Sequence, residues 1–368
     1  MTVTLKTRIT ELLGCKYPII QTAMGWVADP NLVAGSCNAG GFGFLAGATI
    51  PPEEMERDVL RVKQLTAQPF GVNFHMYQPN AKHIVDLVVE HGVRAVSYSR
   101  SPEPALIGKL KDAGVVCMPT IGLPKHAVKA VKLGADAVTV QGGEGGGHTG
   151  VIPTSLLLPQ VVDAVGENTP VLGAGGFKDG RGLVAALAYG ADGIAMGTRF
   201  LMTQNSPTPA ETKQRYVDCN NPGDIVVSKA MDGLPQRMIL NDMLQKLEKA
   251  GPLKQLILAI QNGLAFRQHT GATLFGLLKS ALAMHKTGDV TAAQSIMSAN
   301  APMIIQKSMV DGDPNGGVLP SGQVAGVIDA LPTCEELISS IVEEAEQRLA
   351  ELAARAQSHS TSTKTQAV

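Results

Sequence analysis

The chain has 368 residues, 44% of them apolar, and a formal charge of −1 from 31 basic and 32 acidic residues. Such a length and apolar content suit one barrel-sized domain with an appendage, or two smaller domains, and exclude a disordered or fibrous protein. The charges are interspersed, so nothing marks a nucleic-acid or membrane-surface partner, and a small-molecule substrate is expected.

Five cysteines, Cys15, Cys37, Cys117, Cys219 and Cys334, are scattered without a C-x-x-C pair, which argues against a disulfide framework and a zinc site. The opening segment MTVTLKTRITELLG has no apolar stretch of the signal-peptide kind, and no later stretch approaches a membrane span. A cytoplasmic protein is expected; a homodimer is compatible with the sequence. Forty glycines against 4% aromatic residues suit Val/Ile/Ala strands whose loops bring backbone close to a bound cofactor.

In chain order, eight short apolar runs read as strands: Pro18-IIQTA, Phe42-GFLAG, Phe70-GVNF, Ala95-VSYS, Val115-VCMPTI, Ala137-VTVQG, Pro170-VLGAGG and Gly193-IAMGTRF. Between them, segments such as Glu53-EMERDVLRVKQLTA and Lys125-HAVKAVKLGA return apolar residues at helical spacing. Glycine closes several helices, and the turns Gly134-ADA and Gly190-ADG hint at an internal repeat. Parallel strands alternating with helices predict an α/β protein with a (β/α)8 TIM barrel; an open doubly wound sheet is the structural alternative.

After Met202 the rhythm stops, and residues 206–318 read as a mostly helical inserted subdomain, as in Leu240-NDMLQKLEKAG and Leu277-LKSALAMHKTG. The expected organisation is a barrel from 1–205 and 319–356, a helical substrate lid from 206–318, and a disordered tail from 357–368. The long amphipathic stretch after Gly322 is expected to supply the last outer helix.

A barrel carries its site at the C-terminal strand ends, with phosphate commonly held after the seventh and eighth strands. There the chain has Gly173-AGGFKDGRG and Met196-GTRF, glycine backbone plus the Thr198 hydroxyl, which together read as a phosphate cradle. Arg181 is as readily paired to Asp179 as to a phosphate. Gln21 to Gly25, Asn73, Thr120 and Gln141 lie at other strand ends, where amides suit a polar ring edge or buried backbone equally.

The sixth strand runs into QGGEGGGHTG, Gln141 to Gly150. Its literal G-x-G-x-x-G is a weak dinucleotide signal, because Val151-IPTSLLLP shows no clean helix start and Glu167 precedes the next strand instead of ending it. His148 in this loop, expected at the barrel mouth, is the candidate catalytic residue: imidazole donates to a substrate oxygen or takes a proton near neutral pH. No other histidine stands at metal-ligand spacing from it, and no metal is expected.

Together these motifs resemble the nitronate monooxygenase family, formerly 2-nitropropane dioxygenases, which also includes flavin-dependent enoyl reductases. Gln141 to His148 matches the family's Gln-Gly-x-Glu-x-Gly-Gly-His, and Gly173 to Phe200 its FMN-phosphate region. The resemblance implies FMN as cofactor. It implies that backbone at Ala23, Met24 and Gly25 flanks the flavin ring, that Asn73 and Gln141 bond it, and that Gly175, Gly176, Gly197 and Thr198 hold the phosphate. Gly322 and Gln323 resemble the family's late Gly-Gln near the cofactor, and Gly233-LPQRMILN another family element.

Two activities follow from the resemblance. The first is oxidation of an alkyl nitronate, with His148 binding the nitro oxygens. The second is a reductase or dehydrogenase reaction on an unsaturated acyl-CoA or other acyl thioester, with NAD(P)H as a candidate donor. Gly145 and Thr149 stand where nitronate oxidisers usually show Ala and Arg.

Overall fold

A computed structural model describes residues 5–76, 78, 80–99, 102–250 and 300–364. The chain divides into two compact units, one comprising Met1–Gly142, Ile152–Ser206 and Leu331–Val368, the other Gly143–Val151 and Pro207–Ala330.

The first unit is the expected barrel. Its strands are β1 (Ile19–Gln21), β2 (Phe42–Leu45), β3 (Gly71–Asn73), β4 (Ala95–Ser99), β5 (Val116–Ile121), β6 (Val138–Gln141), β8 (Val171–Ala174) and β9 (Gly193–Met196). All neighbours are parallel and the ring closes through β1 and β9, with Ile19 opposite Ile194. Strands buried on both faces read as continuous apolar runs, which is why the sequence shows no alternation. Phe42 and Phe44, two residues apart and hence on one face, meet edge to face at 5.1 Å between ring centroids and pack with Ile20, Val116, Met118 and Leu172. Ile9 and Leu13 of helix α1 (Arg8–Leu13) join that cluster ahead of the first strand.

Helices α2 (Pro30–Asn38), α3 (Pro52–Leu65), α4 (Ala81–Glu90), α5 (Pro104–Asp112), α6 (Pro124–Lys132), α7 (Thr154–Val165) and α8 (Gly180–Ala188) surround the strands. In α2, Pro30 starts the helix and the Asp29 side chain accepts from Leu32 N–H at 2.9 Å. The two GAD turns prove to be one device used twice. Gly134 and Gly190 take left-handed φ of 96° and 86°, open to glycine without strain, and end their helices. The aspartate that follows accepts a backbone N–H from the preceding strand: Asp136 from Cys117 at 2.9 Å, Asp192 from Val171 at 3.0 Å.

Helix α7 corrects one expectation, since it does start at Thr154 despite Pro159 inside it. The bond that Pro159 cannot donate would have gone to Ser155, which is exposed to water, while Leu157, Leu158 and Val161 bury the inner face. The short α9 (Thr198–Leu201) follows β9 directly, and the last helix, α13 (Cys334–Lys364), packs on α8 and α2. Leu337, Ile338, Ile341, Val342 and Ala345 form its buried stripe, and Glu344 accepts from Gly180 N–H at 2.8 Å. Helix α13 is described as far as Lys364, into the stretch expected as a disordered tail from 357.

The second unit departs further from expectation. Besides α10 (Ala210–Val217), α11 (Asp242–Lys249) and α12 (Asn300–Met309), it contains β-structure in a stretch that reads as helical. Strands β10 (Ile225–Ser228) and β11 (Gln236–Ile239) pair antiparallel, and β11 also pairs with β12 (Leu319–Pro320) and with β7 (Gly147–His148). Met231, Met238, Leu244, Leu247, Ile304 and Val318 form its core. Residues 319–330, expected in the barrel, belong here through β12, and so does the loop 143–151. Leu277-LKSALAMHKTG lies outside the described residues.

Candidate active site

In the barrel unit, register decides which predicted residues meet. Gln21 faces Met196 and Thr22 N–H donates to Met196 O at 3.1 Å, so the loop after β1 runs beside the end of β9. A Cβ on Gly197 would lie 3.1 Å from Thr22 Oγ1 and 3.4 Å from Met24 Sδ. Met24 thus lies against Gly197, next to Thr198, whereas Gly25 packs against Thr49 and Ala23 against the barrel interior. On the adjacent pair, Gln141 faces Ala174 and Gly142 N–H donates to Ala174 O at 3.0 Å, which puts Gln141 beside Gly175 and Gly176.

Gly175 and Gly176 take left-handed φ of 96° and 83°, and Thr154 Oγ1 donates to Gly175 O at 3.1 Å. Two successive left-handed N–H groups, glycine backbone after β9 and the Thr198 hydroxyl suit an anion, and they fit the phosphate of the implied FMN. Asn73, on β3, lies apart from these four strands. Its Nδ2 donates to Ser97 O at 3.1 Å and to Ser97 Oγ at 2.8 Å, which leaves Oδ1 as its acceptor toward a ring N–H. Arg181 pairs with Asp179 and with Glu344 at 3.3 Å, as its position beside Asp179 suggests.

Trp26 is a residue that sequence reasoning misses. At φ 62° it is the single non-glycine with positive φ among the described residues, and it directly follows Gly25. Val27 and Ala28 N–H both donate to Met24 O, at 3.0 and 2.9 Å, and Trp26 N–H donates to Thr49 Oγ1 at 3.2 Å. These bonds hold a strained turn at the loop expected to flank the cofactor.

His148 and Gln323 lie in the second unit, not in the barrel. Gly147 and His148 pair with Arg237 and Gln236. The rest of the glycine loop is fastened within the same unit: Arg237 Nε donates to Gly143 O at 3.0 Å, Thr149 N–H to Pro235 O at 3.2 Å and Gln323 N–H to Glu144 O at 2.9 Å. A Cβ on Gly146 would lie 2.5 Å from Gly322 N, so this glycine is demanded by the chain's own backbone.

Opposite His148 stands a group absent from the sequence-based site. Asp232 Oδ2 is 2.8 Å from His148 Nε2, and Gln236 Nε2 donates to the same oxygen at 2.6 Å. Asp232 Oδ1 accepts Leu234 N–H at 3.0 Å, fixing the turn before β11. The Asp232 side chain is 5% exposed while that of His148 is 61% exposed. Burial opposes ionisation of Asp232, but the bonds from His148, Leu234 and Gln236 outweigh it and hold the carboxyl below its usual range. The available signal was Gly233-LPQ itself, whose preceding acid carried no mark of its partner.

Similarity to known proteins first gives the class: the chain is an oxidoreductase. It belongs to the nitronate monooxygenase family, whose sequence model matches residues 6–344. It is 50% identical over 351 residues to a (3aS,4S,5R,7aS)-5-hydroxy-7a-methyl-1-oxo-octahydro-1H-indene-4-carboxyl-CoA dehydrogenase of Rhodococcus jostii, covering 95% of this chain and 99% of that one. It is 33% identical over 292 residues to a probable nitronate monooxygenase of Staphylococcus saprophyticus, covering 67% and 81%. Among solved structures, FabK from Thermotoga maritima superposes with a TM-score of 0.78 at 28% identity, covering 95% and 99%. Among the described residues no helix is long and apolar enough to cross a membrane.

Proposed function

We propose that this protein is an FMN-dependent dehydrogenase or reductase of a coenzyme A thioester whose acyl part is an alicyclic ring. The observation that carries this reading is the 50% identity over 95% of the chain to a carboxyl-CoA dehydrogenase. The probable nitronate monooxygenase matches 67% of the chain at 33%. Sequence motifs alone place nitronate oxidation first; the fuller match reverses that order. Gly145 and Thr149, where nitronate oxidisers show other residues, support the same direction.

FMN is assigned to the barrel, with the loop Ala23–Gly25 and the amides of Asn73 and Gln141 for the ring, and Gly175, Gly176, Gly197 and Thr198 for the phosphate. When bound, FMN supplies a two-electron acceptor for the hydride that a dehydrogenation removes. His148 serves the accompanying proton, or bonds the thioester carbonyl when it carries one. NADH or NADPH is the candidate donor in the reductive direction.

Anaerobic titration of the purified yellow protein tests this reading. A coenzyme A thioester of a cyclic carboxylic acid, a nitronate, NADH and NADPH are added separately, and flavin absorbance is followed. Bleaching by the thioester is expected; bleaching by the nitronate alone overturns the proposal.

A further inference from the structure

We propose that Asp232 and Gln236 are positioning residues for His148, a carboxylate-amide clamp that keeps the ring proton on Nε2 and makes Nδ1 the nitrogen that exchanges a proton with substrate. The assignment of Nδ1 to substrate rests on the function proposed above; the clamp itself does not.

Asp232 Oδ2 receives two neighbours, His148 Nε2 at 2.8 Å and Gln236 Nε2 at 2.6 Å. A carboxylate oxygen only accepts, so both nitrogens facing it carry hydrogen. The 3.2 Å approach of Gln236 Nε2 to His148 Nε2 is then two donors side by side on one acceptor. A proton on Nε2 leaves the neutral imidazole with its lone pair on Nδ1, as a base, and the protonated ring with Nδ1–H, as a donor. Both roles asked of His148 pass through one nitrogen.

The clamp is built to resist rotation. Asp232 Oδ1 is occupied by Leu234 N–H at 3.0 Å, so the carboxylate is held at both oxygens. Gln236 is buried and lies directly across the β7–β11 pair from His148, so backbone pairing sets the distance between the two side chains. Of the other charged groups on these elements, Arg237 donates through Nε to Gly143 O and through Nη1 to Ile225 O, and the Glu144 charge acts on Arg237. An imidazole whose far nitrogen is fixed by a buried carboxylate is oriented and kept in one tautomer.

Ring-15N NMR of the histidine-labelled protein tests the clamp, with the His148 signals assigned by their loss in His148→Gln. In the wild-type protein the neutral His148 ring is expected as the Nε2–H tautomer. Asp232→Asn keeps an oxygen for Leu234 N–H and turns an N–H₂ toward Nε2, so the ring is expected to switch to Nδ1–H. Turnover is expected to fall on the order of tenfold to a hundredfold, mainly in kcat, with flavin content unchanged. A wild-type ring protonated on Nδ1, a measurement that needs no variant, overturns the proposal. So does an unchanged tautomer in Asp232→Asn. The tautomer is read without substrate, so failure of the thioester reading in the titration leaves it intact, and its own failure leaves that reading intact.

Discussion

Arg8 and Asp192 form a two-pronged ion pair, Nε to Oδ1 at 2.8 Å and Nη2 to Oδ2 at 2.7 Å, that ties the first helix to the start of β9. Asp192 Oδ2 also accepts Val171 N–H at 3.0 Å, and Arg8 Nη1 donates to Gly166 O at 2.8 Å, so one pair joins α1, the end of α7, β8 and β9. Asp192→Ala removes a buried acceptor with three donors left on it. A loss of about 2–3 kcal/mol is expected, Arg8 being partly solvated. Denaturant unfolding measures it, and a shift below about 0.5 kcal/mol would contradict the role.

At the end of β8, Gly176→Ala places a side chain where φ is 83°. The conformation costs about 1–2 kcal/mol for an L-residue, and its relaxation turns the backbone N–H groups away from the proposed phosphate position. Flavin per chain after gel filtration is expected to drop while the protein stays folded. Full flavin content in the variant would remove Gly176 from the cradle.

His148→Ala separates cofactor binding from chemistry. The exchange leaves the barrel's strand ends untouched, so flavin is expected to be retained at the wild-type level. Turnover of the thioester is expected to fall by about a hundredfold or more. Unchanged turnover in a steady-state assay would end the assignment of His148.

Acid exposes the cap of α8. Asp179 accepts Gly182 N–H at 3.2 Å and pairs with Arg181. Burial raises its pKa, but these partners outweigh that and leave it below the usual carboxylate value. A lowered folded value means stability that is complete above the ordinary range near about 4 and lost as pH falls through the folded value. Asp179→Ala should therefore cost about 1 kcal/mol near neutral pH, and its difference from wild type should shrink in acid. Melting temperatures between neutral pH and pH of about 2.5 check this; a gap that widens in acid contradicts it.

Much of the barrel was legible because its signals are local. All eight apolar runs become strands in the expected ring, buried by one another's side chains inside the barrel and outside it by helices whose own spacing is visible in sequence. The turn after β8 is local too, since Gly175 and Gly176 take positive φ, a conformation that glycine adopts without strain. Helix α7 was obscured by Pro159, whose missing bond is absorbed at an exposed turn.

What the sequence by itself determined is the barrel, the glycines at the ends of its last strands and the chemical type of residue 148. Tertiary structure alone decided where that histidine belongs and what holds it. The pairing of β7 with β11 assigns the glycine loop to the second unit, and it brings His148 to Asp232 across 84 residues of chain. Strand pairing between distant segments leaves no periodic trace in either one: Gly147 and His148 are too short a strand to show alternation, and Gln236–Ile239 sits in a stretch that scans as helical. An aspartate before a Gly-Leu-Pro turn reads as turn chemistry, which it also performs through Oδ1. Only the folded chain shows that its second oxygen is spent on the histidine.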